Sequence, residues 1–352
     1  MSGNTIRNPE EVGLAFRQGM KAFHPNRRLL ILGHFDADGL SAAAILSQAL
    51  ARAGHPSDIR IMGKGEHPWA PSFRRELEER NPGGLVVTDL GVRDGDILPE
   101  MPTIIVDHHV PLGVPGDAVV ISGNGWMPEP TSSLIAYWCA EALGDAHGLM
   151  WLMALGLIGD MASEDFSELA VAQAQYGKTA LRDAVSLINA PRRTGNADAL
   201  PALALLLRCT SPKDLLKGGH AETGVLLAAK AEVAAALDSV KRVPPKIHGN
   251  IALIRFASPC QVHPLVAQAW RSRLKDKIVL VVNTGYRPGW IHFAARTATD
   301  TNLIQFLAEH RPQGAGGEYG SGHIKATGGA LRPSDWNDFA ARIGFPEEKV
   351  SE

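Results

Sequence analysis

Aspartate and histidine residues stand directly after short hydrophobic runs in the first half of this 352-residue sequence. Their carboxylate and imidazole groups can bind metal ions and transfer protons. The residues in such positions are His34, Asp36, Asp38, Asp89, Asp107, His108, His109 and Asp160. If the fold brings them together, five carboxylates and three histidines share one site.

Carboxylates gathered at one site repel one another unless cations lie between them. The set offers oxygen and imidazole donors and no thiolate, which favours Mn²⁺ or Mg²⁺ over structural zinc. The number of donors indicates two ions roughly 3.5–4 Å apart, bridged by a carboxylate and a water. Such a pair generates a hydroxide nucleophile and neutralises a phosphate, so the predicted chemistry is phosphoester hydrolysis.

The elements that must position these residues are short strands alternating with helical patterns. This alternation predicts an α/β fold with a mainly parallel sheet, in which ligands bind beyond the carboxyl ends of the strands. The predicted strands are Leu29–Leu32, Ile59–Met62, Leu85–Val87, Thr103–Val106 and Val119–Ile121. The predicted helices are Leu40–Ala53, Phe73–Arg80, Ser132–Gly144, Leu149–Leu157 and much of the stretch 166–237, which forms a helical connection.

Taken one at a time, the acidic motifs have other interpretations. The segment 36–39 (Asp-Ala-Asp-Gly) is typical of turns and helix caps, and it lacks the third oxygen position and the trailing glutamate of a calcium loop. Asp89 could simply end a strand, and Asp160 could cap a helix. The triplet 107–109 (Asp-His-His) is harder to explain by packing. Because the motifs follow successive strands, we interpret them together as one metal site.

A new pattern begins after Pro244-Pro245, where the helical stretch is interrupted. We place a domain boundary there: residues 1–243 form the metal-binding domain with its helical connection, and residues 244–352 form a smaller mixed α/β domain. We expect a cleft between them. The elements predicted in the second domain are strands Ile251–Phe256, Ile278–Asn283 and Trp290–Ala295, helices Pro264–Lys275 and Asn302–Glu309, a glycine-rich loop Gly314–Gly322, another short strand and a last helix from Asp335.

The glycine-rich segment Gly314–Gly322 has the composition of an anion-binding loop. Glycines let the backbone approach a ligand closely and present several N–H donors to it. His323 and Lys325 follow directly, and the segment 250–333 carries ten Lys or Arg residues against four acids. The alternative is a flexible surface loop. Tyr319 could stack on a base or simply pack, and the segment matches neither a Walker loop nor a Rossmann fingerprint.

Composition and charge limit the classes to which the protein can belong. The net charge of −2 is far from the basic balance of proteins that coat nucleic acid, and the 45% hydrophobic content is that of a globular protein. Cys139, Cys209 and Cys260 form no CxxC pair, which argues against a disulfide framework or a thiolate zinc site and predicts reduced, mostly buried thiols. We see no transmembrane segment or secretory signal, and we expect a cytoplasmic protein.

The order of the motifs resembles that of the DHH phosphoesterases, a family that includes RecJ-like exonucleases and nanoRNases. The resemblance runs from about Arg28 to Leu331. It passes through Asp-x-Asp-Gly, an isolated Asp, Asp-His-His and Gly-Asp to a glycine motif and histidine like those of the family's accessory DHHA1 domain. No single motif is specific, but their order is.

The resemblance implies a role for each site residue. One metal ion would be bound by His34 and Asp36, the other by Asp38, His108 and Asp160, with Asp89 bridging the two. Asp107 would orient a histidine, and His109 would lie near the substrate phosphate and the leaving oxygen. In the DHHA1 domain, the residues implied to contact substrate are Arg296, Gly320, Ser321, Gly322 and His323.

Three departures from the family pattern bear on the substrate. His34 stands where bacterial RecJ has a further Asp, as in the archaeal RecJ-like branch, and Ser321 replaces a usual glycine. Longer members continue into an oligonucleotide-binding barrel, which these residues do not include. We therefore expect short substrates or strand ends.

The resulting hypothesis is a two-metal phosphodiesterase, with Mn²⁺ as the expected ion and Mg²⁺ as the alternative. Its expected substrates are the ends of single-stranded DNA or RNA, or short oligonucleotides, and we expect no membrane partner. One alternative is a small-molecule phosphoesterase acting on dinucleotides or adenosine bisphosphate. Another is a non-catalytic nucleic-acid-binding relative. The apolar helix 132–144 could pack internally or against a second copy, so both a monomer and a homodimer are open.

Overall fold

The contacts within the computed structural model divide the chain into two units. The structure describes residues 8–162 and 166–351. The first unit comprises Met1–Arg192 and Ala197–Lys230, and the second comprises Arg193–Asn196 and Ala231–Glu352. The division falls after Lys230, inside a helix, whereas the proline pair used as a boundary above lies within the second unit. The functional boundary at residue 244 stays a prediction.

The first unit contains a parallel sheet, as the alternation of strands and helices predicts. Its strands are β1 (Leu29–Gly33), β2 (Ser57–Ile61), β3 (Leu85–Thr88), β4 (Thr103–Asp107) and β5 (Val119–Ser122). They lie in the order β2-β1-β3-β4-β5. β1 and β3 are buried along their whole length, as expected where both faces of a parallel sheet are covered. All five predicted strands are confirmed, with small differences at their ends.

Helices surround this sheet and form the connection that follows it. They are α1 (Pro9–Met20), α2 (Ala37–Arg52), α3 (Pro71–Arg80), α4 (Ser132–Leu143), α5 (Met150–Gly159), α6 (Ser167–Tyr176), α7 (Lys178–Ile188), α8 (Leu200–Arg208), α9 (Pro212–Leu216) and α10 (Ala221–Val240). α10 begins in the first unit and continues into the second. The helical connection predicted from the Ala- and Leu-rich composition is thus confirmed.

α4 and α5 lie in the core of the first unit. Residues 132–140 of α4 and 150–157 of α5 are all buried. A helix that is apolar on all sides packs inside a protein because it has no face suited to water. α4 therefore packs within its own unit, and the choice between a monomer and a homodimer stays a prediction.

The first helix, α1, is absent from the sequence-based prediction. Its start has a clear physical signal: the side chain of Asn8 accepts a hydrogen bond from the Glu11 backbone N–H at 2.9 Å, and Pro9 occupies the first turn. Its buried face includes Val12 and Phe16.

The second unit contains a mixed sheet covered by helices. Its strands are β6 (Lys246–His248), β7 (Ile251–Phe256), β8 (Ile278–Arg287), β9 (Trp290–Thr297), β10 (Tyr319–His323) and β11 (Ala326–Leu331), in the order β10-β11-β9-β8-β7-β6. Among the strands that the structure describes here, β7 and β8 pair in parallel and the other neighbours pair antiparallel. The helices are α11 (His263–Arg271), α12 (Leu303–Glu309) and α13 (Pro333–Arg342). The predicted smaller mixed α/β unit is confirmed.

The glycine-rich segment is not a loop throughout, and this corrects the prediction for Gly314–Gly322. Residues 319–323 form β10, which pairs with β11 through a register shift between Tyr319 and Ser321. Gly320 lies at this irregularity with φ of +80°, a conformation that glycine adopts without strain. The hairpin therefore uses part of the backbone hydrogen-bonding capacity that a free loop would offer to an anion.

Two further expectations can be compared with the structure. Cys139, Cys209 and Cys260 are free and buried, as predicted. Within residues 8–162 and 166–351, no helix is both long and apolar enough to span a membrane.

Candidate metal centre

Three neighbouring strands bring most of the predicted site residues to one edge of the first sheet. β1, β3 and β4 are adjacent, with Gly33 paired to Thr88 and Thr88 paired to Val106. Because parallel strands in register end at the same level, the residues that follow them meet. These residues are His34, Asp36, Asp38, Asp89, Asp107, His108 and His109. Asp160, which follows α5, joins them through His108.

Asp36 is held at the start of α2. Its carboxylate caps the helix by accepting from the Gly39 N–H at 3.1 Å. The other oxygen lies 3.0 Å from His34 Nδ1 and 2.6 Å from the Arg192 guanidinium. Burial by itself would raise the pKa of Asp36, but the charges of His34 and Arg192 outweigh it and hold that pKa well below its usual value.

Asp38 lies in the first turn of α2 and faces the first turn of α4. Its two oxygens accept backbone hydrogen bonds from Ser132 at 2.8 Å and Ser133 at 3.0 Å. The N-terminus of a helix favours a carboxylate in this position, because its first N–H groups have no partner within the helix. Two helix starts thus fix one buried carboxylate.

Asp89 lies at the centre of the cluster. Its Oδ2 is 3.6 Å from His34 Nδ1, and its Oδ1 is 3.5 Å from His108 Nε2 and 3.9 Å from His109 Nδ1. The Ser132 hydroxyl donates to Oδ1 at 3.0 Å. The backbone of Asp89 has φ of +62°, an uncommon conformation that is often found at functional sites.

The side chains form three overlapping groups of donors. In each group, the donor atoms all lie within 4.8 Å of one another. The groups are His34-Asp36-Asp89, Asp89-His108-His109 and Asp38-His108-Asp160. Asp89 belongs to two of them and His108 to two, so the groups form one continuous centre. Its nitrogen and oxygen donors suit divalent ions such as Mn²⁺ or Mg²⁺.

An orphaned buried atom supports the fit of a metal ion to this centre. His108 Nε2 is buried and has no hydrogen bond of acceptable geometry. It nevertheless lies 3.2 Å from Asp160 Oδ2 and 3.5 Å from Asp89 Oδ1. Buried polar atoms are normally satisfied, and neutral imidazole nitrogen is a common metal ligand. The donor set therefore fits a divalent cation.

The protonation equilibria of the cluster reflect its excess of negative charge. Burial would lower the pKa of His108, but the neighbouring carboxylates Asp160, Asp89 and Asp38 outweigh burial and raise that pKa to about 12. The pKa of His34 is raised to about 10 by Asp36 and Asp89 in the same way, against the effect of burial. The carboxylates thus attract positive charge strongly, which a divalent cation would also supply.

Asp38 shows the same effect from the acidic side. Burial, together with the negative charges of Asp89 and Asp160, raises the pKa of Asp38 to about 8. Ionising all of these closely spaced, buried carboxylates costs free energy, because their negative charges repel one another. A cation placed among them would let each of them carry its charge.

Asp107 has a different environment from the other carboxylates. It is fully buried, and it belongs to none of the three donor groups named above. It accepts hydrogen bonds from the backbone N–H groups of Gly91 at 2.8 Å and His109 at 2.7 Å, and it lies 3.1 Å from His109 Nδ1. Burial would raise its pKa, but His109 outweighs burial and lowers it. This geometry fits a residue that orients His109.

Several residues that contact the centre are not predicted from the sequence. Arg192 pairs with Asp36, Asn189 accepts from the Ala37 N–H at 2.9 Å, and Ser132 and Ser133 hold Asp38. The serines follow Thr131 at the start of an apolar helix, so their position at a helix N-terminus is a readable signal. Arg192 and Asn189 lie in a distant part of the chain, and no local pattern marks them.

The remaining predicted residues lie in the second unit. Arg296 on β9 and His323 on β10 both pair with Ala326 on β11, so the two side chains share a face of the sheet. The Arg296 guanidinium donates to the carbonyls of Ala295 at 2.9 Å and Thr327 at 3.1 Å. Burial and the charge of Arg271 lower the pKa of Arg296.

The glycine motif lies on the same strand as His323. Gly320, Ser321 and Gly322 belong to β10. A Cβ at Gly322 would lie 2.6 Å from the Ala326 carbonyl oxygen, and φ at this residue is +130°, so the position requires glycine. Tyr319 is buried and donates from its hydroxyl to the Leu307 carbonyl at 2.9 Å. It packs and does not stack on a base.

Comparisons with known proteins agree with this description. No family model matches the chain. The curated single-stranded-DNA-specific exonuclease RecJ of Thermus thermophilus is 30% identical over 166 residues, which make up 40% of this chain and 24% of that protein. The crystal structure of Thermus RecJ in complex with Mn²⁺ is similar with a TM-score of 0.69 at 20% identity, over 97% of this chain and 55% of that chain.

A second crystal structure, of exonuclease RecJ bound to manganese, is similar with a TM-score of 0.66 at 20% identity over 98% of both chains. The present chain spans about half of the Thermus crystal structure and a quarter of the curated protein in alignment. The similarity to the solved structures establishes the fold. The chain is therefore similar to RecJ in its fold, and the order of its motifs resembles that of the DHH phosphoesterases.

Proposed function

We propose that the chain is a metal-dependent phosphodiesterase that hydrolyses the ends of single-stranded nucleic acids or short oligonucleotides. The observation that carries this proposal is the position of Asp89, which belongs to two of the three overlapping donor groups. A carboxylate shared in this way is suited to bridge two divalent ions. The relative from Thermus, named as a single-stranded-DNA-specific exonuclease, supports the choice of substrate class.

The proposed ligand sets follow the donor groups. His34, Asp36 and Asp89 would hold one ion, and Asp38, His108 and Asp160 would complete the other with Asp89. Mn²⁺ is the expected ion, since two RecJ crystal structures contain it, and Mg²⁺ is the alternative. Bound ions of this kind supply an activated water and neutralise charge on the phosphate.

The protein's own groups orient the reacting parts. Asp107, at 3.1 Å from His109 Nδ1, holds a proton on that nitrogen, which leaves Nε2 of His109 to face a phosphate or leaving-group oxygen. The side chain of His109 is 43% exposed, whereas that of Asp107 is fully buried. His109 is therefore accessible to substrate, and Asp107 acts through it.

The second unit would bind another part of the substrate. Arg296 and His323 share one face of its sheet, and the segment 250–333 has an excess of basic residues. Guanidinium and imidazole groups of this kind recognise phosphate oxygens. We assign these two residues, with the backbone of Gly320–Gly322, to contacts with the phosphate or base.

A ladder assay tests the proposal. Labelled single-stranded DNA and RNA of increasing length, from dinucleotides upward, are incubated with the protein and Mn²⁺, with each end blocked in turn. We expect stepwise shortening from one unblocked end, abolished by chelation of the metal. Hydrolysis confined to dinucleotides would support the small-molecule phosphoesterase instead. Binding of the oligonucleotides with no hydrolysis in Mn²⁺ or Mg²⁺ would refute the enzymatic proposal.

A further inference from the structure

A second group of metal donors lies in the helical connection of the first unit, away from the strand ends. Cys209 follows α8, Asp214 lies in α9, and His220 immediately precedes α10. One donor atom from each residue lies within 4.8 Å of the other two. The missing CxxC pair argues against sites with two adjacent thiolates, but a single cysteine can still bind a metal ion together with a histidine and a carboxylate.

The three residues are held in place by local structure. The Asp214 N–H donates to Ser211 Oγ at 3.1 Å, and Asp214 Oδ2 accepts from the Thr210 N–H at 3.1 Å. The Thr223 hydroxyl donates to the Leu215 carbonyl at 3.4 Å and so ties α9 to α10. Cys209 is buried at the end of α8, where its N–H bonds the Leu205 carbonyl at 2.8 Å. These contacts hold the three side chains close together before any metal ion binds.

Capping of α9 explains only part of this arrangement. It uses one oxygen of Asp214, whereas Cys209 Sγ and a ring nitrogen of His220 also lie within 4.8 Å of a carboxylate oxygen of this residue. Capping does not require a thiol or an imidazole nearby. A metal ion would use all three groups, and the hydrogen bond from the Thr210 N–H to Oδ2 would orient the carboxylate, as outer-shell partners do in metal sites.

We propose that Cys209, Asp214 and His220 bind a divalent ion of the zinc class. Thiolate, imidazole and carboxylate together favour Zn²⁺ over the harder ions expected at the strand ends. Bond lengths of about 2.0–2.3 Å place tetrahedral donors roughly 3.3–3.8 Å apart, so donor atoms that now lie within 4.8 Å of one another need to approach by at most about 1.5 Å. On binding, the Cys209 thiol releases its proton to solvent, and both the sulfur and the carboxylate become ligands.

The bound ion would cross-link the segment that connects α8 to α10. The ligands enclose the segment 209–220, which includes Gly218 and Gly219, and closing such a loop in the folded state stabilises it. His220 and Asp214 are partly exposed, so a water can complete the coordination. Because three protein ligands leave one position for water, the arrangement itself favours neither a purely structural role nor a catalytic one.

Cobalt titration of the purified full chain distinguishes this site from the centre at the strand ends. Co²⁺ gives a thiolate-to-metal charge-transfer band in the near ultraviolet only when sulfur is a ligand, and the strand-end centre contains no cysteine. We expect a band that saturates at one thiolate-bound Co²⁺ per chain and is lost on addition of Zn²⁺. Failure of the phosphodiesterase proposal would not affect this result.

Four variants complete the test. Cys209→Ser should abolish the band. His220→Gln, at a partly exposed position, should raise the Co²⁺ concentration at half-saturation about tenfold or more, since even outer-shell partners are worth 10–100-fold in affinity. Cys139→Ser and Cys260→Ser should retain the band. Cys260 is the closest control, because its thiol contacts Glu232 Oε1 at 3.3 Å and, within the described residues, it belongs to no group of three donors.

The proposal is overturned if the wild-type chain shows no charge-transfer band, if the band persists in Cys209→Ser, or if it disappears in Cys260→Ser. An unchanged half-saturation concentration in His220→Gln would also overturn it. Far-ultraviolet circular dichroism of each variant, compared with the wild type, separates loss of the ligand from loss of the fold.

Discussion

Gly156 on α5 lies directly against the carboxylate of Asp38 on α2. A Cβ at residue 156 would overlap both Asp38 Oδ1 and the hydroxyl of Ser133. Ser133 is one of the two residues whose backbone N–H groups hold Asp38. The close packing of an apolar helix therefore limits the positions that a carboxylate of the candidate metal centre can take.

The first prediction concerns this close approach. Gly156→Ala should displace Asp38 or Ser133 and lower the affinity for Mn²⁺ about tenfold or more, the range known for disturbed outer-shell contacts. Calorimetric titration with Mn²⁺ measures the effect. Gly224→Ala is the matched control, since Gly224 is also helical and a Cβ there would meet no atom within 4 Å. Equal Mn²⁺ affinity in both variants would contradict the proposed role of Asp38.

The second prediction concerns Asp89. Asp89→Asn keeps a residue that tolerates positive φ but removes the charge shared by two donor groups. Loss of several kcal/mol of charge stabilisation should reduce Mn²⁺-dependent hydrolysis at least about 100-fold. The exposed Asp117→Asn should retain wild-type rates on the same oligonucleotide. Retention of most activity in Asp89→Asn would refute the assignment.

The third prediction separates orientation from metal binding. Asp107→Ala removes the partner of His109 without removing a member of the three donor groups. We expect hydrolysis to be abolished while Mn²⁺ still binds, with an affinity about 10–100-fold below wild type, the range typical of a lost outer-shell contact. Turnover and Mn²⁺ titration of the same preparation provide both measurements. Complete loss of Mn²⁺ binding would make Asp107 a ligand instead.

The fourth prediction concerns stability at low pH in the second unit. Burial, with the neighbouring cationic groups of His292, Arg193 and Arg296, holds the pKa of His263 well below its ordinary value. Folding therefore favours neutral His263, and this contribution is complete above the unfolded pKa of about 6.5 and lost as pH falls below it. The slope approaches about 1.4 kcal/mol per pH unit for one group.

Urea unfolding at pH 5 to 7.5 measures this dependence. His263→Gln cannot be protonated in this range, so the free energy of unfolding should fall less steeply with decreasing pH than in wild type. The exposed His147→Gln serves as a control and should keep the wild-type slope. An unchanged slope in His263→Gln would show that other groups cause the acid sensitivity.

The strands, and the meeting of the side chains that follow them, could be predicted from the sequence because both depend on local signals. β1, β3 and β4 are hydrophobic runs, and the residues after them must meet if the strands are parallel. The contribution of Arg192 could not be predicted, since it reaches Asp36 across 156 positions of sequence. The prediction of a loop at Gly320–Gly322 is wrong because glycine composition does not distinguish a bulged hairpin from a loop.

Crystals grown with Mn²⁺ and measured at a wavelength where manganese scatters anomalously test the central claim most directly. We predict two anomalous peaks roughly 3.5–4 Å apart on either side of the Asp89 carboxylate, one beside His34 and Asp36 and the other beside Asp38, His108 and Asp160. The absence of anomalous density at Asp89 in such crystals would contradict the account.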